Sequence, residues 1–366
     1  HNLVQTRHKL ALDQGYKDFV KMSYHRLLRY DYGPEEVAAF RELVQKHLIP
    51  ISNELKKRQA SRIAVDHLKH FDEPLKFLEG NPTPKGSPEW ILETGRQMYK
   101  ELSPETHEFF ESMVSADMMD LVNRSGKQGG GYCTYFPSYG SPFIFSNFNG
   151  TAHDVEVLTH EAGHAFQVYS SKDQPLNEYW WPTLESAEIH SMSMEFFTWP
   201  WMKNFFGEDT ERFMYDHIAS SMSFIPYGCS IDHFQELVFR NPNDSPSERL
   251  ERWKEVEKIY APMKDNGGNP FLEEGRYWQR QGHIYRSPFY YIDYTLAQIC
   301  AFQFWIKSRN DFDAAWKDYL RLCKAGGSRP FLQLLKLAKL DSPFEESTIV
   351  RVAEEVNEWL SKTGVE

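Results

Sequence analysis

Apolar residues recur every three to four positions along most of the chain, and this spacing predicts helices. In GPEEVAAFRELVQKHLIPISNELKKRQ (33–59), Val37, Phe40, Leu43, Val44 and Leu48 form one stripe behind a Gly-Pro start, and the segment reads as a single helix. SPETHEFFESMVSADMMDLV (103–122) opens with Ser103, Pro104 and Glu105, an N-cap, a first-position proline and an acidic first turn. SPSERLERWKEVEKIYAP (245–262) and SPFEESTIVRVAEEVNEWLSK (342–362) repeat that opening. In the last of these, Ile349, Val352, Val356, Trp359 and Leu360 line one face, as core residues do. A different pattern occupies GKQGGGYCTYFPSYGSPFIFSNFNG (126–150). Two β-type runs, Tyr132–Phe136 and Phe143–Phe148, flank a Pro-Ser-Tyr-Gly-Ser-Pro turn. The expectation is a mainly α fold with one small hairpin or sheet.

Composition narrows the classes. The 366 residues are 41% hydrophobic and 15% aromatic, enough for a packed core, and no repeat or long linker divides them, so 1–366 reads as one domain. A formal net charge of −11 argues against nucleic acid and anionic membrane as partners. No apolar run approaches the roughly 20 residues of a membrane helix, and the N-terminal HNLVQTRHKLALDQ has no apolar signal core. Cys133, Cys229, Cys300 and Cys323 are scattered, with no C-x-x-C pair, which suits a reducing compartment; a cytoplasmic location is expected. No pattern along the chain sets an oligomeric state.

The chemistry concentrates in VLTHEAGHAFQVYSS (157–171). Thr151 as N-cap, with Asp154 three residues on, predicts a helix start, and Val155, Leu158, Ala162, Ala165, Phe166 and Tyr169 keep helical spacing. His160 and His164 are then i and i+4, with both imidazoles on one face where they can share an ion. Glu161 is rotated about 100° from His160, beside the open coordination position, where a general base for a water belongs. With 14 His and 52 Asp+Glu in 366 residues, chance gives about 0.08 such His-acid-x-x-His patterns. The competing His107-Glu108 pair has Glu111 where a second histidine would be needed, and reads as helix surface.

A catalytic zinc needs a third protein ligand and leaves a fourth position open. WPTLESAEIHSMSMEFFTWP (181–200) offers Glu185, Glu188 and Glu195 near one face of an otherwise apolar helix. Buried carboxylates persist when they pair or bind metal. Glu188 is taken as ligand, and Glu185 and Glu195 as acceptors for the imidazole N–H groups. The plain alternative is that these acids form a solvated face.

With DVEVLTHEAGHAFQ, ESAEIHSMSME and GHIYRSPFYYIDYTLAQ (282–298) in hand, the chain resembles the thimet oligopeptidase/oligoendopeptidase F family of zinc peptidases, on the oligoendopeptidase F and Pz-peptidase side. The similarity runs over nearly the whole chain. It joins His-Glu-x-Gly-His at 160–164 to Glu188, Ser191 and Glu195. Many members carry a third histidine where this chain has Gln167, a position that is not a ligand in the family. The resemblance implies a helical zincin-type metallopeptidase with a small sheet beside the zinc helix and a deep channel for oligopeptides. One Zn²⁺ would sit on His160, His164 and Glu188, with Glu161 as general base. It further implies that His283, Tyr291 and Tyr294 stabilise the transition state, with Tyr285 and Tyr290 as rivals. Members also carry a helical segment upstream, so an N-terminal lobe outside this chain is expected. The edge of Phe143–Phe148 is a candidate for pairing with an extended peptide, and Gly129–Gly131 for close approach of its backbone. Other readings remain: a helical metallocarboxypeptidase, which would need a cation for the free carboxylate, and a non-catalytic zinc-containing binding protein.

Overall fold

The structure, a computed structural model, describes residues 1–365. Helices α1 (Asn2–Asp13) and α2 (Phe19–Arg26) lead into α3 (Pro34–His47) and α4 (Ile49–Arg62). The 33–59 stripe is therefore two helices rather than one. Leu48 ends α3 and caps α4, and Pro50 lies in the first turn of α4, where its missing N–H has no partner to lose. Helices α5 (Pro88–Leu102) and α6 (Pro104–Ser115) each open on Ser-Pro; the Ser103 hydroxyl accepts the Thr106 N–H at 3.1 Å. α6 stops well short of Val122. Asp117 turns the chain with φ +54°, and Met119–Val122 forms strand β1 instead. Its short apolar run fits either state locally, and pairing with a distant strand decides.

Strands β2 (Tyr132–Phe136) and β3 (Ser141–Phe148) form the expected antiparallel hairpin, turned at Gly140 with φ +61°. β1 pairs parallel with the other side of β3, so the order is β1-β3-β2. This corrects the expectation for Phe143–Phe148: β3 is central and bonded on both sides, and the free edge of the hairpin belongs to β2. Alternate β3 residues Ile144, Ser146 and Phe148 are buried beneath the sheet.

Helix α7 (Ala152–Ser171) carries the histidine pair, and α8 (Leu184–Phe197) the acids. The predicted Thr151 cap is not made. Asp154 instead turns back to accept N–H groups from Asn149 and Gly150, holding the strand-to-helix corner. Beyond lie α9 (Met202–Phe206), α10 (Thr210–Arg240), α11 (Pro246–Tyr260), α12 (Pro270–Glu273) and α13 (Gly282–Arg286). The chain continues with α14 (Tyr291–Asn310), α15 (Phe312–Ala325), α16 (Phe331–Leu337) and α17 (Glu346–Lys362). α11 has the predicted Ser245/Glu248 capping box. α17 does not start on Ser342-Pro343; that serine accepts from Phe344 N, and the helix begins at Glu346.

One apolar cluster joins nearly all of these elements, through Phe40, Tyr99, Phe109, Phe166, Phe197 and Trp305 among others. α8 is buried on nearly every side, packed between α7 and α14. The α7–α8 crossing depends on Gly163: a Cβ there would lie 2.6 Å from the His190 carbonyl oxygen and 2.6 Å from Ser191 Cα. No helix among the described residues is long and apolar enough to cross a membrane.

Candidate metal centre and catalytic cleft

Because α7 and α8 cross at Gly163, the acids of α8 meet the histidines of α7. His160 Nε2 and His164 Nε2 each lie 3.3 Å from Glu188 Oε2. Donors on a tetrahedral ion with bonds of about 2.0–2.1 Å would stand about 3.3–3.4 Å apart, so the spacing fits a zinc-sized ion. The donor types, two imidazoles and one carboxylate, are those of a catalytic zinc site with an open fourth position. Glu188 is fully enclosed by the fold. Its Oε2 accepts the Ser191 hydroxyl at 2.9 Å, and its Oε1 accepts the Tyr290 hydroxyl. Burial opposes its ionisation, but His164 and His160 outweigh burial and hold the carboxyl well below its ordinary range.

The protons on His160 are set by its neighbours. Glu195 Oε1 lies 2.7 Å from His160 Nδ1, so Nδ1–H donates and Nε2 is turned toward Glu188, where it would offer its lone pair to a bound ion. The other oxygen, Oε2, lies 2.7 Å from His217 Nε2. Trp199 donates its indole N–H to His217 Nδ1 at 3.0 Å, which places the His217 proton on Nε2. Donors thus converge on Glu195 from two sides, Trp199 through His217 on one and His160 on the other. Burial opposes the Glu195 charge, yet the hydrogen bonds from His160 and His217 bring its carboxyl down to about 2. Glu185 does not share this duty. It contacts neither imidazole; Thr183 donates to its Oε1 instead. The expectation that it orients a ligand imidazole is therefore corrected: three residues from Glu188 on a helix with all sides buried, it meets a different neighbour. His164 Nδ1 has no protein partner among the described residues.

Glu161 is 7% exposed, and its Oε2 is buried without a protein partner. Burial pushes its carboxyl up, while His160 and His164 act against that rise. A Cβ on Gly131 would sit 3.3 Å from Glu161 Oε1, so the glycine run passes close to this carboxylate.

A cleft of 340 Å³ is lined in part by Glu195, His217, Phe224, His283, Tyr291 and Tyr294. The Gln281 amide donates to His283 Nδ1 at 2.6 Å and accepts from the Tyr227 hydroxyl at 3.0 Å. The His283 proton is therefore on Nε2, toward the cleft. Burial and then Arg286 hold this imidazole below its ordinary value, hence neutral. The Tyr294 hydroxyl is 3.5 Å from that nitrogen, and burial lifts the Tyr291 phenol to about 12. Tyr290, one of the two rivals, makes the direct bond to Glu188. Tyr285 is 39% exposed and lies tilted against Trp278, outside the cleft. A second cavity, of 260 Å³, adjoins across α10 and shares Ser220 and Phe224 with the cleft.

Residues 1–353 match the family model of Peptidase family M3. The chain belongs to Peptidase family M3. Among solved structures, a Pz peptidase A with an inhibitor is 54% identical and covers 99% of this chain with a TM-score of 0.97. A putative oligoendopeptidase F is 52% identical, also over 99% of the chain, with a TM-score of 0.97. A putative oligoendopeptidase F from Bacillus anthracis str. Ames is 50% identical over 98% of the chain, with a TM-score of 0.89. The M3 chain spans 64% of the length of the first two and 62% of the third. No curated protein matches it.

His217, Trp199 and Gln281 of this M3 chain carry no local signal. His217 on α10 joins through its bond to Glu195, Trp199 just beyond α8 through its bond to His217, and Gln281 before α13 through its bond to His283.

Proposed function

We propose that this M3 chain hydrolyses peptide bonds in short oligopeptides as a zinc-dependent metallopeptidase. The observation that carries the reading is the convergence of His160, His164 and Glu188, with each imidazole Nε2 3.3 Å from Glu188 Oε2 and the buried Glu161 beside His160. These three residues would hold the ion. Bound there, it supplies Lewis acidity that polarises a carbonyl and makes a water acidic. Glu161 takes the proton of the attacking water and returns it to the departing amine nitrogen. Its displaced, buried carboxyl has the raised proton affinity that such a shuttle needs. His283 Nε2–H and the Tyr294 hydroxyl donate to the carbonyl oxygen as charge develops on it. Tyr291 lines the same wall and fixes the rings by packing, its centroid 5.1 Å from that of His283. Tyr290 restrains Glu188. The free edge of β2 supports an extended peptide alongside Glu161 through backbone hydrogen bonds.

The test is Glu161→Gln, assayed on a peptide blocked at both ends. Retained zinc with kcat lower by about 10²–10⁴-fold is the expected result. Normal turnover would remove Glu161 from its role. Cleavage only of peptides with a free C-terminus would favour the carboxypeptidase reading instead.

A further inference from the structure

The segment that delivers the tyrosines to the cleft passes through a strained joint. Phe289, directly before Tyr290, has φ +66°, a left-handed conformation that a bulky side chain adopts only under constraint. Neither of its backbone groups is held by a helix. Its N–H donates to Gln235 Oε1 at 3.0 Å, and its carbonyl accepts from Arg29 Nη2 at 2.6 Å. Its ring is buried against Tyr24 and Phe239.

Arg29 does more than hold that carbonyl. The same Nη2 is 2.5 Å from Asp293 Oδ1, and both side chains are 0% exposed. Asp293 lies in the first turn of α14, between Tyr291 and Tyr294. The guanidinium is itself fixed, its centre 4.5 Å from the Tyr24 ring and 5.7 Å from the Tyr32 ring. One arginine, from the loop between α2 and α3, thus grips the chain on both sides of Tyr290.

We propose that Arg29 is a positioning residue: by clamping the Phe289 carbonyl and Asp293 it sets where the Tyr290, Tyr291 and Tyr294 phenols stand relative to Glu188. This rests on the metallopeptidase reading of the cleft. Without the clamp, the Phe289 peptide relaxes toward an ordinary conformation and the first turn of α14 rotates with it. The body of α14, packed on α8 and α10, stays in place, so the effect is confined to the tyrosine wall.

Arg29→Met alone would strand a carboxylate in the core. The informative variant is Arg29→Met with Asp293→Leu, which removes both charges and keeps apolar volume. Zinc content, thermal unfolding, kcat and KM on a doubly blocked peptide, and amide exchange over 287–291 are measured. A cooperative fold with zinc bound and KM within about 2-fold is expected, with kcat down by about 10- to 100-fold. Exchange at those amides should quicken by about 10-fold. Gln235→Met, which removes the other tether and leaves no buried charge, should shift kcat and exchange the same way. Wild-type kcat and exchange in the folded, zinc-loaded pair would overturn the proposal. Should the pair fail to fold, the same result in Gln235→Met overturns it. Exchange is read whether or not the protein cleaves peptides. A wild-type protein that cleaves nothing sinks the peptidase reading, while exchange still judges the clamp.

Discussion

Glu188 holds two kinds of partner at once, the imidazole nitrogens of α7 on Oε2 and the Tyr290 hydroxyl on Oε1. Replacing it by alanine leaves two imidazoles with no anionic donor, so Glu188→Ala is expected to lose zinc, read by metal analysis after dialysis. Unchanged zinc content would move the third ligand to Glu195. The tyrosines separate by what each hydroxyl touches. Tyr294→Phe removes a donor near His283 and leaves the ligands alone; kcat should fall about 10- to 100-fold with zinc content intact. Tyr290→Phe removes a bond to the ligand carboxylate itself, so zinc affinity should weaken by about 10- to 100-fold, measured by chelator competition. Wild-type affinity would reduce Tyr290 to packing. The segment's wealth of tyrosine was visible along the chain, but which phenol faces which partner was not. Four phenols within ten residues differ in direction by the turns of α13, Phe289 and α14.

At the scale of elements, the crossing of α7 and α8 builds the site. Gly163 stands where any side chain would meet α8 backbone at 2.6 Å. Gly163→Ala is expected to push the helices apart, lowering stability by about 1–3 kcal/mol and weakening zinc binding together, checked by denaturant unfolding with and without zinc. Loss of stability with wild-type zinc affinity would show that the histidines follow α8 as it moves. Periodicity located α7, whose apolar positions keep helical spacing, whereas α8, buried on nearly every side, was marked by acids set in an apolar segment. Periodicity failed where the pattern is short. Residues 119–122 and the outer side of β3 were misjudged because strand pairing draws on partners more than 20 residues away. Ser342-Pro343 and Thr151 look like caps in sequence, but caps are made by backbone directions that the neighbouring elements impose.

Across the whole molecule, buried charges tie distant segments together. Asp318 on α15 accepts from Lys307 on α14 at 2.8 Å and from Arg321 at 2.7 Å, and Lys339 beyond α16 lies 3.2 Å away. Burial opposes its charge, but these cations win and hold the carboxyl at about 2. A carboxyl depressed in the folded state stabilises above its unfolded pKa of about 4. That contribution, about 2 kcal/mol, is lost as pH falls toward about 2. Asp318→Asn should therefore be less stable than wild type at pH 7, and the difference should shrink steadily below pH 4, followed by urea unfolding. A pH-independent difference would mean that packing, not charge, carries the effect.

The chain alone determined the helical class, the histidine–glutamate face and the segments rich in acid and tyrosine, because each is a matter of spacing within one helix or one short run. Tertiary structure decided which groups converge. It turned Glu195 to His160 and Glu185 away, recruited His217 and Trp199 from α10 and its approach, brought Tyr290 to Glu188, and locked Phe289 with an arginine 260 residues distant. Helix periodicity is set by local backbone geometry, whereas the direction of a side chain into a shared site depends on how whole elements pack, and no short stretch of sequence records that.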